Sequence, residues 1–311
     1  MDIANWLSSL SENRWPILPA TAVEVRQMLS LPGDRIVFSE LANLTLSDPF
    51  LLLDLMRLVG ASRALQRSEA HPTVEQMLMM LGLEVITARY RQIPALSTVH
   101  GKLDQEVVDA VGDWLGRSRV AAFIIKEWLA ITGEYKVEDC FIAALVYNLP
   151  ACLYLIYRNR IPGGPLLHEV SDVFALDYPK IVEQFIQRMP LPSGLLGTLG
   201  AGPVNRRKQL LKLAIATANA VDQGWWRPQW NIGIEAAAKL IEHSRALEVV
   251  PENDRLLRAL GSMARIMQAD GKVEFRSDAH AEHFASALRQ RYGEGVVTNL
   301  ASGRTDALIG D

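Results

Sequence analysis

The sequence predicts an all-α, multi-helical fold, and three observations carry that expectation. Apolar residues recur at steps of three and four along most of the chain. The alternating β-branched runs that mark strands are nearly absent. Proline, glycine and capping residues fall at intervals that suit helices of ordinary length.

Taken in order, residues 1–15 give a short amphipathic helix with Ile3, Trp6, Leu7 and Leu10 on one face, stopped by Pro16 and Pro19. A second helix runs from Ala22 to Leu31 and ends at Pro32-Gly33-Asp34. Ser39 is placed to cap Glu40–Leu46. Asp48-Pro49 is a sharper start signal. The carboxylate can accept from free N–H groups of the next helix, and Pro49 lacks an N–H that would be orphaned at the first position anyway. That helix carries Leu52, Leu55, Met56 and Val59 and ends at Gly60.

Thr73 followed by Gln76 has capping-box spacing and opens a helix striped by Met77, Leu78, Leu81 and Val85. Val99–Leu103 is read as a subdomain boundary. A long helix over about 104–132 places Val107, Val111, Trp114, Ser118, Ala121, Ile125 and Trp128 on one face, with Gly133 as its C-cap. Glu138 opens a strongly apolar helix through Leu149, and Pro150 begins the next. Residues 161–165 form a loop, followed by helices over 166–174 and 179–188. Pro190–Gly194 and Gly200–Pro203 are breaks, and Asn205 starts a helix bearing Leu210, Leu213, Ala214 and Thr217. Further helices are expected over 234–248, 252–268 and 279–292, with a loop rich in Trp and Gly over 222–233 and a polar, partly disordered tail over 293–311.

Composition narrows the function classes. The chain has 311 residues, 49 % hydrophobic and 22 % charged, which is ordinary for a globular protein. Its 32 Lys and Arg against 35 Asp and Glu leave a net charge of −3, so no electrostatic pull toward nucleic acid or an anionic membrane is expected. The apolar run from Cys140 to Tyr157 is interrupted by Asn148 and Pro150 and is read as buried helix rather than a membrane span. Cys140 and Cys152 lie inside it and are expected as buried free thiols of a reducing, cytoplasmic setting. The N-terminus lacks the basic and apolar regions of a signal peptide.

The matching order of several segments resembles a known family. LPATAVEVRQMLS, SELANLTLSDPFLLLDLMRLVGA and TVEQMLMMLGLEVI are similar to the opening, the Asp-Pro helix start and the Leu-Gly helix end of the HDOD domain. DWLGRSRVAA, CFIAALVYNLPACLYL and RMPLP continue the resemblance, which covers about residues 15–250. Gly60 departs from it, standing where many members carry Asn before Ser. HDOD domains are non-catalytic relatives of HD-type metal-dependent phosphohydrolases. The resemblance implies an N-terminal helical subdomain (1–100), an HD-like bundle (101–250) and a C-terminal extension (251–311).

The resemblance also locates the metal-ligand positions of the related hydrolases on Arg117, Tyr147, Asn148, Tyr178 and Asn219. Those enzymes use imidazole and carboxylate lone pairs to hold a cation that activates water. Arg117 is a permanent cation with no acceptor. Tyr147 would have to lose a phenolic proton with a reference pKa of roughly 10, and Asn148 and Asn219 offer only neutral amides. No catalytic residue, metal or cofactor is therefore expected. The simplest reading of these residues is a polar cluster in a helical bundle, with Arg117 donating to Asn148 or Tyr147. The alternatives are an anion or nucleotide sensor using the Arg117 fork, and a phosphohydrolase with substituted ligands. The implied role is regulatory, through contacts with bacterial signalling proteins of cyclic-dinucleotide or two-component pathways.

Other candidates are weaker. His280 and His283 share a helix face but have no defined third ligand. His71, His100, His168 and His243 are scattered. Asp270-Gly-Lys-Val-Glu274 superficially resembles a calcium loop, but Gln268, Ile266 and Ser277 stand at ligand positions. Trp225, Trp226 and Trp230 are expected to pack a loop onto the bundle. The basic run Asn205-Arg-Arg-Lys208 opposes a helix dipole, which hints at a neighbouring anion; a helix end with salt bridges is the ordinary reading.

Overall fold

A computed structural model of the chain describes residues 2–12, 15–60, 72–96, 103–134, 137–189, 198–199, 204–219, 236–237 and 240–241. The helices expected over 252–268 and 279–292, the 222–233 loop and the 293–311 tail lie outside these residues, as do all the histidines but His168. Among the described residues 78 % are helical and none is in a strand, so the fold is all-α. The nearest approach to a sheet is an isolated parallel bridge between Ile17 and Ala95.

The helices are α1 (Ile3–Glu12), α2 (Pro19–Met28), α3 (Phe38–Ser47), α4 (Pro49–Gly60), α5 (Val74–Leu81), α6 (Leu83–Tyr90), α7 (Gln105–Ile131), α8 (Glu138–Tyr147), α9 (Leu149–Arg158), α10 (Leu166–Phe174), α11 (Tyr178–Arg188) and α12 (Arg206–Asn219). The chain forms two compact units. One comprises Met1–Leu115 with Val146–Gly202; the other comprises Gly116–Leu145 with the described part of 203–311.

In the first unit, α2 to α6 pack in sequence, with α3 against α2, α4 and α5. Asp48 ties them together. Its carboxylate accepts from the N–H groups of Phe50 and Leu51 at 2.9 and 3.3 Å, capping α4 as the sequence predicts. Its other oxygen accepts from the Leu18 N–H at 2.7 Å, thirty residues away, at the start of α2. Leu52, Leu55, Met56 and Val59 are buried along α4. Asp54, also buried on α4, receives a bidentate bond from Arg89 of α6, at 2.6 and 2.9 Å.

The capping box forms as expected: Gln76 N–H donates to Thr73 Oγ1 at 3.2 Å, and Thr73 N–H to Gln76 Oε1 at 2.9 Å. The stripe beyond it does not continue. Gly82 adopts φ +79° and ψ 152°, a conformation open essentially to glycine alone, and starts a new helix. The break resets the helical phase, so Ile86 and Tyr90 are buried and Val85 faces outward.

Three smaller expectations are corrected by local physics. Pro19 begins α2 rather than stopping α1, because its missing N–H is harmless in a first turn. Ser39 lies inside α3, whose N-cap is Val37 without a side-chain cap. The helix opened by Glu138 ends at Tyr147, and Leu149 already belongs to α9.

The remainder of the first unit is built from α1, α9, α10 and α11, with α11 against α1, α9 and α10. Trp6, Leu7 and Leu10 are buried, and the Trp6 ring lies 4.9 Å from that of Phe174. Tyr154 Oη donates to Glu169 at 2.8 Å, which also pairs with Arg160, so α10 is held to α9 by a polar clasp. In the long helix α7, Val107, Val111, Ser118, Ala121, Ile125 and Trp128 are buried, and Gly133 terminates it at φ +75°. The 21 residues Glu138–Arg158 are long and apolar enough to cross a membrane, but 89 % of their most apolar window is buried inside the fold. Cys140 and Cys152 are buried and unbridged.

Two outcomes follow. Asp48→Ala leaves buried N–H groups without an acceptor and is expected to cost about 3 kcal/mol in urea unfolding. Burial raises the Asp48 carboxyl above its ordinary value, against the lowering effect of bonds from Leu18, Leu51, Thr21 and Phe50. The folded state therefore holds this proton more tightly than the unfolded chain. Its contribution to stability is greatest below the unfolded value and falls as pH rises through the folded one. Asp48→Asn is expected to lose this dependence, seen as a difference in pH–stability profiles. Ala175, exposed at the end of α10, sits in the left-handed region at φ +52°. Relief of roughly 1–2 kcal/mol of strain, offset by glycine's larger unfolded-state entropy, leaves Ala175→Gly about 0.5 kcal/mol more stable, measurable by thermal melts.

Candidate functional site

The polar centre of the first unit is the break between α8 and α9. Asn148 there has φ −89° and ψ −2° and is buried. A helix end leaves carbonyls without partners, and a helix start leaves N–H groups without them. Pro150 in the first turn of α9 has no N–H to satisfy. Tyr178, the first residue of α11, supplies what remains. Its hydroxyl donates to the Tyr147 carbonyl at 3.0 Å and accepts from the Ala151 N–H at 3.3 Å. One phenol thus serves an orphan from each side of the break. The Tyr147 and Tyr178 rings meet edge to face, with centroids 5.5 Å apart.

Neither phenol is suited to ionise. Burial pushes Tyr147 up to about 12. Tyr178 is raised well above its ordinary value, chiefly by burial and further by Tyr147 and Cys152. A phenolate ligand would have to overcome this as well as break the bond to the Tyr147 carbonyl.

Of the five residues singled out in the sequence, Tyr147, Asn148 and Tyr178 are therefore brought together in the first unit. Arg117 and Asn219 belong to the second. Arg117 is half-buried in the middle of α7, next to the buried Ser118, and Asn219 is the half-buried last residue of α12. Among the described residues, no group of three His, Cys, Asp or Glu side chains is arranged to hold a metal ion. A shallow cleft at the turn between α10 and α11, lined by Ser171, Asp172, Leu176, Asp177 and Lys180, includes none of the five.

The second unit resolves the basic run at the start of α12. Arg206 pairs with Glu134 at 3.1 Å, and Arg207 pairs with Glu134 at 3.2 Å and Asp139 at 2.6 Å. Asn205 caps the helix by accepting from the Lys208 N–H at 2.9 Å. The anion that the helix dipole calls for is supplied by the chain's own carboxylates. Beside them the buried Cys140 thiol is pushed up to about 11, mainly by burial and then by Asp139, with Arg207 acting the other way. It stays a thiol at neutral pH, which suits packing rather than nucleophilic chemistry. Sequence reasoning missed Glu134 and Asp139 as partners because their separation from Arg207 in the chain carries no periodic signal.

Tyr178→Phe removes one hydroxyl and leaves the Ala151 N–H and Tyr147 carbonyl without it. The expected cost is about 1–2 kcal/mol in denaturant unfolding. In alkaline titration at 295 nm, the wild-type chain is expected to show a tyrosine fraction that ionises only on unfolding, and the variant a smaller one.

No family model matches the chain, and no curated protein matches it. Among solved structures, it is similar in fold to the MmoQ response regulator from Methylococcus capsulatus strain Bath. The two share 15 % identity with a TM-score of 0.53, over 75 % of this chain and 97 % of that one.

Proposed function

We propose that this chain is a non-catalytic signalling protein of the HDOD type, acting through contacts with other proteins. The observation that carries the reading is the use made of Tyr178. Its hydroxyl is committed to the backbone on both sides of the α8–α9 break. Tyr147 and Asn148, at positions where the resembling hydrolases carry ligands, stand at that same break as a protonated phenol and a neutral amide. Such a centre favours packing over water activation. The fold likeness to a response regulator supports a place in signal transduction. Partners would be proteins of two-component or cyclic-dinucleotide signalling in a bacterial cytoplasm.

Elemental analysis of gently purified full-length chain, with phosphodiester hydrolysis assayed in Mg²⁺ and Mn²⁺, tests the reading. No stoichiometric metal and no turnover above blank are expected. Reciprocal affinity capture from the native cell should recover a signalling protein. Stoichiometric metal with turnover abolished by Asn148→Ala would overturn the proposal.

A further inference from the structure

Ten large apolar side chains are exposed among the described residues, and five of them belong to the segments 31–37 and 79–85 of the first unit. Met79 and Met80 lie in the last turn of α5 at 58 % and 51 % exposure, and Val85 lies in the first turn of α6 at 44 %. Leu31 and Val37, both 46 % exposed, flank the short turn that precedes α3. This turn lies against α6: a Cβ on Gly33 would stand 3.2 Å from Leu83 Cδ2. Each of the five lies within four residues of that contact in sequence, so they belong to one neighbourhood of the first unit.

The corner is a product of the Gly82 break. A continuous helix would carry Val85 in the same stripe as the buried Met77 and Leu78. The positive φ at Gly82 instead turns it to solvent, and no side chain could make that turn without strain even though the space beside Gly82 is open. An apolar cluster at a rigid corner is a surface for a partner. Adjacent methionines let such a surface fit varied side chains.

Charge selects the partner. Exposed carboxylates surround the cluster: Glu75 lies one turn before Met79, Glu84 adjoins Val85, Asp34 adjoins Gly33, and Glu40 is in the first turn of α3. Two exposed cations oppose these four carboxylates, Arg35 and Arg91, the latter with its guanidinium 3.5 Å from the Leu29 carbonyl, while Arg89 is held by Asp54. An acidic rim repels anionic lipid and acidic peptides and favours Lys and Arg. We infer that this corner docks a basic amphipathic helix of a partner protein, its apolar stripe on Met79, Met80 and Val85 and its cationic flanks on Glu75 and Glu84.

The inference gives the signalling reading a surface but does not depend on it. Metal-dependent turnover would overturn that reading and leave this surface standing. The test is fluorescence anisotropy of a labelled Leu/Lys amphipathic helix of about five turns, with a Leu/Glu helix of the same pattern as control. Saturable binding of the Leu/Lys helix alone is expected, with hydrogen-exchange protection over 31–37 and 79–86. Met79→Ser/Met80→Ser is expected to weaken it about tenfold, and Glu75→Gln/Glu84→Gln to weaken it and flatten its salt dependence. These side chains are exposed, and unchanged thermal melts would show that the variants fold. Absence of saturable binding, equal binding of the Leu/Glu helix, or affinity unchanged in the variants would overturn the inference. So would self-association in sedimentation that Met79→Ser/Met80→Ser abolishes, because a second copy would then occupy the corner.

Discussion

The buried carboxylate of Asp48 is the constraint around which the N-terminal helices are arranged. Taking a charge out of water is costly unless donors converge on it. Here the donors are main-chain N–H groups from the start of α4 and from Leu18, just before α2. Because the donors are backbone, the bond fixes where the two helices begin. The position of α3, which packs on α2, α4 and α5, follows from both. The pair of buried Asp54 and partly exposed Arg89 repeats the device between α4 and α6, with side chains on both sides.

The second polar centre works on the same principle with a neutral group. A pair of helices meeting end to end, as α8 and α9 do at Asn148, must satisfy a carbonyl from one and an N–H from the other. A hydroxyl is suited to this because it donates and accepts at once. Tyr178 delivers one from α11, and the same contact holds α11 against the apolar α9. Polar chemistry in this interior is thereby spent on backbone groups, which leaves the phenols protonated and the amide of Asn148 neutral.

What could be read from the sequence divides along the range of the interactions. The Thr73–Gln76 box and the Asp48–Pro49 start involve groups within three residues, and both formed as their spacing dictates. The face of α7 was legible because a single period runs the length of the helix, whereas α4 is buried on nearly every side, Phe50, Leu51 and Leu53 included, so its expected stripe is only part of what it buries. The stripe through Val85 was misread because one glycine resets the phase, and nothing in the apolar pattern announces a positive φ. In the candidate site, Tyr147, Asn148 and Tyr178 were singled out by the resemblance alone, and the helix was expected to run past the first two to Leu149. The role of Tyr178 could not be read, because its bond to Tyr147 spans 31 residues and depends on where α11 packs. Glu134 and Asp139 were invisible as partners of Arg206 and Arg207 for the same reason.

The docking of α1 on α11 bears on how the chain is made. Trp6 meets Phe174 in the finished fold, and Ser8 lies 3.4 Å from Arg188. At translation rates of about 5–20 residues per second, the first helix emerges roughly ten to thirty seconds before its partner exists. For that interval Trp6, Leu7 and Leu10 have no native cover, while α2 to α6 can already pack on one another. The first unit thus assembles around an absent piece. A fragment ended at residue 115 would keep that exposed seam permanently and would be a poor substitute for the whole chain.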